Sequence, residues 1–422
     1  MNRRELLTRL AGGLTAFKLL PSLPVSAAPD DEHYWELFRQ YFLMPEGVTY
    51  LNNGSLGVSP WPVIEAMHRH LLESESLQGR ELGDYPWWGY GSSLRYRERF
   101  ARFVGAKAEE IAITRNATEG MNTVGTGLDL KPGDEVLMSD EEHPGGKSVW
   151  YQRARRYGIV VREFTLPKPP SSPGEILNRL NDAISPRTRV ISVSHITTVT
   201  GGMLPVREIC RLSRDKGIIS VVDGAHAIGQ IALDLHDIGC DYYATSPHKW
   251  LLAPKGTGLL YCRQGLAEEL WSHTSSGTWD KKELGCERLT NIGTSNQTLL
   301  EGLVAAMDFH DKIGKQRLAQ RMRYLNRFLR EKISTVGGVA FLSGPPPELS
   351  TAMVKVALPV KKITEIAKRL WQEHKIWLTV KDGDETAPAT IRFSCHAYVR
   401  PKELERCVDL ISASFRKYGD VC

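Results

Sequence analysis

The sequence predicts an α/β protein: a mostly parallel sheet covered by helices on both faces, followed by a smaller α/β unit. Three observations predict it. From about residue 110, short apolar runs alternate with helix-like stretches, the pattern of strands joined by crossover helices. The polar strings able to do chemistry fall at the carboxyl ends of those strands, where open α/β sheets bind ligands. The chain has 422 residues, 41% of them hydrophobic, enough for a large core and two domains.

In chain order, strands are expected at 111–114, 135–139, 159–165, 189–195, 218–223, 241–245 and 258–262, each a short apolar run. Helices are expected from 118 onward and at 147–157, 175–184 and 206–216. The Pro- and Ser-rich run 167–173 reads as a surface loop. One long, charged amphipathic helix over 309–332 is expected to bridge the two units. A strand at 353–358, a helix at 363–374, a strand at 390–394 and a helix at 402–418 make the smaller unit. The implied division is 29–60 as an N-terminal segment, 61–305 as the large domain and 306–422 as the smaller one.

Net charge is +5, with basic and acidic residues interleaved. No basic stripe carries interspersed aromatics, which argues against a nucleic-acid partner. The seven cysteines are dispersed and odd in number, unlike a disulfide framework or a zinc site. At the N-terminus, Arg3-Arg4 precedes a moderately apolar stretch over 10–20, interrupted by Lys18, and then Val25-Ser26-Ala27-Ala28. That order resembles a twin-arginine (Tat) export signal over 1–28 with a small-residue cleavage site. It implies a periplasmic protein handled by the Tat machinery. The apolar stretch is too short to span a bilayer. The aromatic run Tyr85-Pro86-Trp87-Trp88-Gly89-Tyr90 suits either a large apolar ligand surface or a dimer contact.

Lys249 lies in Thr245-Ser246-Pro247-His248-Lys249-Trp250, and Asp223 closes the apolar run Val221-Val222 before Gly224-Ala225-His226. A lysine in a desolvated site can deprotonate and attack a carbonyl. A buried carboxylate can hold a protonated ring nitrogen. Arg115-Asn116-Ala117-Thr118-Glu119-Gly120 joins a strand to a helix, and a helix N-terminus favours an anion such as phosphate. Arg392, in Ile391-Arg392-Phe393-Ser394, can clamp a substrate carboxylate with two hydrogen bonds. Singly, each has a plainer reading: a surface lysine, a strand-end turn, a helix cap or a salt-bridged arginine.

Together, over roughly 48–417, these strings resemble the class V aminotransferase family of fold type I pyridoxal 5'-phosphate (PLP) enzymes, and most of all its isopenicillin N epimerase-like branch. The resemblance implies that Lys249 is the Schiff-base lysine and Asp223 the partner of the pyridine nitrogen. It places Ala117 and Thr118 in the phosphate cradle, with Ser246 and His248 as phosphate contacts and His226 close behind. It places His143 flat on the cofactor ring. Thr198 stands where relatives carry an asparagine near the phenolic oxygen, and Thr197 is the neighbour that could take its place. Thr294, in Asn291-Ile292-Gly293-Thr294-Ser295-Asn296, would reach the phosphate of a second subunit, implying a homodimer with shared sites. Its plainer reading is a helix cap at Thr294 or Ser295. Arg392 and Asn53, the latter in Leu51-Asn52-Asn53-Gly54, would contact substrate.

The implied activity is exported α-carbon chemistry on an amino-acid or peptide-like substrate, of transamination or epimerisation type, such as siderophore tailoring. A β-eliminating C–S lyase is the nearest rival, and a non-catalytic scaffold of the same fold is the rival of another class. Cysteine desulfurases need a nucleophilic cysteine shortly before the carboxylate-binding arginine; none lies between Lys375 and Arg392, and Cys395 follows it. A nicotinamide-dependent dehydrogenase is disfavoured by the lack of GxGxxG after the first strand.

Overall fold

A computed structural model describes residues 23–24, 27–76, 93–344 and 347–418. Most of the signal-like N-terminus and the whole 85–90 aromatic run lie outside the described residues. No helix among the described residues is long and apolar enough to cross a membrane.

The first strand, β1 (Thr49–Tyr50), is a two-residue piece. The next seven form one sheet: β2 (Ile111–Thr114), β3 (Glu135–Ser139), β4 (Val160–Phe164), β5 (Thr188–Ser194), β6 (Ile219–Asp223), β7 (Tyr242–Thr245) and β8 (Gly258–Cys262). Their spatial order is β2-β8-β7-β6-β5-β3-β4. Neighbours from β7 through β4 pair in parallel, and only β8 runs against its two neighbours. The expected mostly parallel sheet is therefore present, with the expected strands in place to within a residue or so.

Adjacent residues on these strands face opposite cores, as a pleated sheet buried on both sides requires. Val190, Val221 and Leu260 pack with Met121 and Trp150 on one face. Ile191, Val222 and Leu259 pack with Val63, Leu303 and Met307 on the other.

The second sheet has the order β12-β13-β10-β9, built from β9 (Ala340–Phe341), β10 (Met353–Leu358), β12 (Thr379–Lys381) and β13 (Ala389–Ser394). Its core includes Tyr34, Trp35 and Phe38 of the N-terminal helix Glu32–Arg39. The helix Glu32–Arg39 thus packs into the C-terminal unit, and β1 pairs in parallel with β11 (Ile376–Trp377).

The single helix expected over 309–332 is instead two, Gln297–Ile313 and Lys315–Ile333. Gly314 separates them at φ +99°, outside the helical region and open to a residue without Cβ. The amphipathic pattern continues through the break, which is why the sequence reads as one helix.

The segment following β1 closes over the Lys249 loop. The Gly57 amide donates to the His248 carbonyl at 2.9 Å, and Lys255 Nζ donates to the Gly57 carbonyl at 2.8 Å. A Cβ on Gly57 would lie 2.1 Å from the Lys249 carbonyl oxygen, so no side chain fits there. Gly57→Ala is expected to cost about 1–3 kcal/mol by overpacking, read as a lower midpoint in urea unfolding.

Candidate active site

The ends of β2, β3, β5, β6 and β7 converge on one place, and the loops leaving them carry the chemistry. Lys249 follows β7. Its amine is desolvated by the surrounding protein, which pushes it down to about 8; Asp223 opposes this fall and Arg392 adds to it. The loop holding it is tight. Leu252 takes φ +61°, uncommon for a residue with a side chain, and a Cβ on Gly229 would lie 2.3 Å from the Leu251 amide nitrogen.

Lys249 Nζ lies 3.2 Å from His226 Nε2. On the other side of that imidazole, Trp250 Nε1–H donates to His226 Nδ1 at 3.1 Å. An indole nitrogen can only donate, so Nδ1 must be the acceptor. Burial, with Lys249 next in importance, holds His226 well below its ordinary value and hence neutral. Its one proton therefore sits on Nε2, facing Lys249, and it can donate to Nζ only when the lysine is an uncharged amine. The sequence places His226 near the cofactor but gives no sign of Trp250 as the group that sets its tautomer.

Asp223 is buried at the end of β6. Its Oδ1 accepts from the Ala225 amide at 2.9 Å. A Cβ on Gly146 would stand 2.9 Å from its Oδ2, so the first turn of the helix Pro144–Tyr157 comes close. His143 caps that helix, its Nδ1 accepting from the Gly145 amide at 3.0 Å, with the ring exposed.

The helix Ala117–Gly127 points its N-terminus at the same place. Asn116, not Thr118, is its cap, accepting from the Glu119 amide at 2.9 Å. Thr118 is exposed, and a Cβ on Gly145 would lie 2.3 Å from its Oγ1. The Ala117 amide donates to Ser246 Oγ at 3.0 Å, so the two expected cradle segments are joined. Among the described residues His248 Nδ1 is buried without a hydrogen-bond partner, and burial pushes this imidazole down to about 4.

Arg392, on β13, crosses from the smaller sheet. It donates through Nη1 to the Thr198 carbonyl at 2.8 Å and hydroxyl at 3.2 Å, and through Nη2 to Ser55 Oγ at 3.3 Å. Its Nε is buried with no partner among the described residues. Thr198 is thus bound to Arg392. Thr197 is committed elsewhere, bonded to Thr200 at 2.9 Å and buried. Lys355 stands directly opposite Arg392 across β10 and β13, which adds a second cation that sequence reasoning did not single out.

Asn53 is fully buried. Its side-chain nitrogen donates to the Lys249 carbonyl at 3.2 Å, and its oxygen accepts from the Tyr398 hydroxyl at 2.8 Å. The residue expected to contact substrate therefore ties the Lys249 loop to the C-terminal unit. Thr294 is exposed and lines a cleft with Arg115, Glu119 and Gly256. The cap of the following helix is Asn296 rather than Thr294 or Ser295.

The groups present fit PLP: a desolvated amine for its aldehyde, a buried carboxylate for its ring nitrogen, and a helix N-terminus with an unpaired imidazole nitrogen nearby for its phosphate. Asp223→Asn removes the anion that favours the ammonium form. The pH midpoint for reductive methylation of Lys249 in the cofactor-free chain, followed by mass spectrometry, is expected to lie near 8 and to move lower in that variant.

Comparison with known proteins agrees. The family described as Aminotransferase class-V matches residues 49–407. The isopenicillin N epimerase of Streptomyces clavuligerus is 33% identical over 398 residues, covering 90% of this chain and 98% of that protein. A probable cysteine desulfurase of Methanothermobacter thermautotrophicus is 30% identical over 305 residues, 70% of this chain and 75% of that one. Among solved structures, a variant of C-DES with glycine covalently linked to its PLP cofactor aligns at TM-score 0.76 and 25% identity, over 89% of this chain and 98% of that one. C-DES in complex with cysteine persulfide, its product as a cystine C–S lyase, aligns at TM-score 0.74 and 26% identity, over 87% and 98% of the two chains. The desulfurase of Thermococcus onnurineus NA1 shares the fold at TM-score 0.81 and 22% identity, over 90% and 98%. With the family match spanning most of the chain and the site residues fitting the cofactor, this chain belongs to the class V aminotransferase family of PLP-dependent enzymes.

Proposed function

We propose that this chain is an exported enzyme that carries PLP on Lys249 and works at the α-carbon of an amino-acid or peptide-like substrate by transamination or epimerisation, as in siderophore tailoring. The observation that carries the reading is the Lys249 amine, desolvated and faced by Asp223 and by the Nε2–H of His226. The proposed holders of the cofactor are Lys249 at the aldehyde, Asp223 at the ring nitrogen and His143 against the ring face. Ala117, Thr118, Ser246 and His248 hold the phosphate, with Thr294 contributed to it by a second copy of the chain. His226 and Thr198 stand beside the ring substituents.

When bound, PLP supplies an electron sink for negative charge at the carbon beside the substrate's amine. The chain's own residues do the rest. Arg392, pre-set by Thr198 and Ser55, orients the substrate carboxylate. Lys249 then moves the α-proton as general base and general acid, its tuned amine available in both forms near neutral pH. The fate of that proton separates the outcomes. Return to the same carbon from the far face inverts it, whereas loss from that carbon accompanies amino-group transfer. Similarity to the isopenicillin N epimerase supports the first outcome and the family the second.

A β-eliminating C–S lyase is the second reading, favoured by the likeness to C-DES. Persulfide chemistry on a thiol of this chain is disfavoured: all six described cysteines are buried, including Cys395 directly after β13.

In heavy water, NMR of amino acids and short peptides mixed with the holoenzyme is expected to show exchange of the α-proton. Lys249→Ala is expected to lose both the exchange and the yellow cofactor band. A panel in which no amino compound exchanges would sink the reading. Release of pyruvate and ammonia from cystine would give the lyase instead. For export, cell fractionation should find the protein in the periplasm and lose it there when Arg3 and Arg4 both become Lys; an unchanged periplasmic pool would refute a twin-arginine route.

A further inference from the structure

Glu142 has no part in the chemistry above, yet it is buried beneath the site. It sits in the loop between β3 and the helix Pro144–Tyr157 and is 6% exposed. Its Oε1 accepts from Ser139 Oγ at 2.5 Å and its Oε2 from Ser194 Oγ at 2.6 Å. Ser139 ends β3 and Ser194 ends β5. In the parallel pairing of β5 with β6, Ser194 stands directly opposite Asp223, so both side chains leave the same face of the sheet. The serine that binds the Glu142 carboxyl is thus the cross-strand neighbour of Asp223.

No cation forms an ion pair with Glu142 among the described residues, whereas its neighbour Glu141 has Lys168 at 3.7 Å. His143, next to Glu142 in the chain, and Lys249 after β7 interact with Asp223, and Arg392, His226 and His248 lie around Lys249. A carboxyl buried near a second negative charge ionises less readily. Burial pushes Glu142 up to about 7, with the negative charge of Asp223 adding to the rise and the two serine bonds opposing it.

We propose that Glu142 is a positioning residue that sets the charge environment of Asp223: it holds a proton while Asp223 is ionised against the cofactor's ring nitrogen, and when it ionises, its added negative charge tightens the hold on the ring-nitrogen proton. The proposal rests on Asp223 being the ring partner. Its consequence is a pH response of the ring nitrogen that originates in a group touching neither cofactor nor substrate.

The test is nitrogen-15 NMR of holoenzyme reconstituted with ring-labelled PLP, titrated between about pH 5.5 and 8.5. The wild-type ring-nitrogen signal is expected to step near neutral pH, and Glu142→Gln, which keeps the shape and cannot titrate, is expected to abolish the step. Ser194→Ala removes a hydrogen bond that favours the ionised carboxylate, and is expected to move the step to higher pH by about one unit. That arm stands even if the glutamine variant fails to fold. A flat wild-type signal, a step that persists in Glu142→Gln, or a midpoint unmoved in Ser194→Ala overturns the proposal. Asp223→Asn separates the two readings: a ring-nitrogen signal unchanged in that variant would mean that Asp223 is not the ring partner, and the cofactor assignment itself would fail.

Discussion

A lysine that must act as a free amine near neutral pH cannot stand in open water, where its proton would stay bound. Desolvating Lys249 lowers its affinity for that proton, and Asp223 limits the fall so that both forms remain accessible. Much of the local architecture serves this balance. The Lys249 loop is pinned by the tight backbone of Gly57 and Gly229, by Asn53 on its carbonyl, and by His226, whose proton Trp250 directs at the amine. A looser loop would admit water and restore the ordinary lysine.

The sheet makes such a site possible without long connections. Parallel strands deliver their carboxyl ends to one edge, so groups far apart in sequence, such as Asn116, Ser139, Ser194, Asp223 and Ser246, arrive together at strand ends and on the short loops that leave them. The remaining wall comes from the second sheet, through Arg392 reaching back to Thr198 and Ser55. The N-terminal segment joins the two: Asn53 contacts both the Lys249 carbonyl and Tyr398. Arg392 and Lys249 thus come from different sheets, and the buried Asn53 amide ties the Lys249 loop to the C-terminal unit.

The seven strands of the larger sheet, and β10 and β13 of the second, were legible because burial on one or both faces leaves continuous or alternating apolar runs; the two- and three-residue strands β9 and β12 were too short to show a pattern. The break at Gly314 was not, because the helical pattern runs on through it and only the backbone angle interrupts it. Within the site, Lys249, Asp223 and Arg392 were visible as residue types suited to the chemistry at strand ends. The true cap at Asn116, the engagement of Asn53 with the Lys249 loop and the bond between Arg392 and Thr198 were not. Each depends on which of several nearby polar groups a side chain reaches, and spacing along the chain does not encode that choice.

By itself, the sequence determined the α/β architecture and the set of groups needed to hold a phosphorylated aldehyde cofactor, because periodicity and residue chemistry are local properties. Only the tertiary structure decided how those groups are tuned. The lowered proton affinity of Lys249, the tautomer of His226 and the burial of Glu142 against the serine beside Asp223 all arise from contacts between segments distant in sequence. Proton affinity depends on solvent exclusion and on the charges nearby in space, and folding alone creates both.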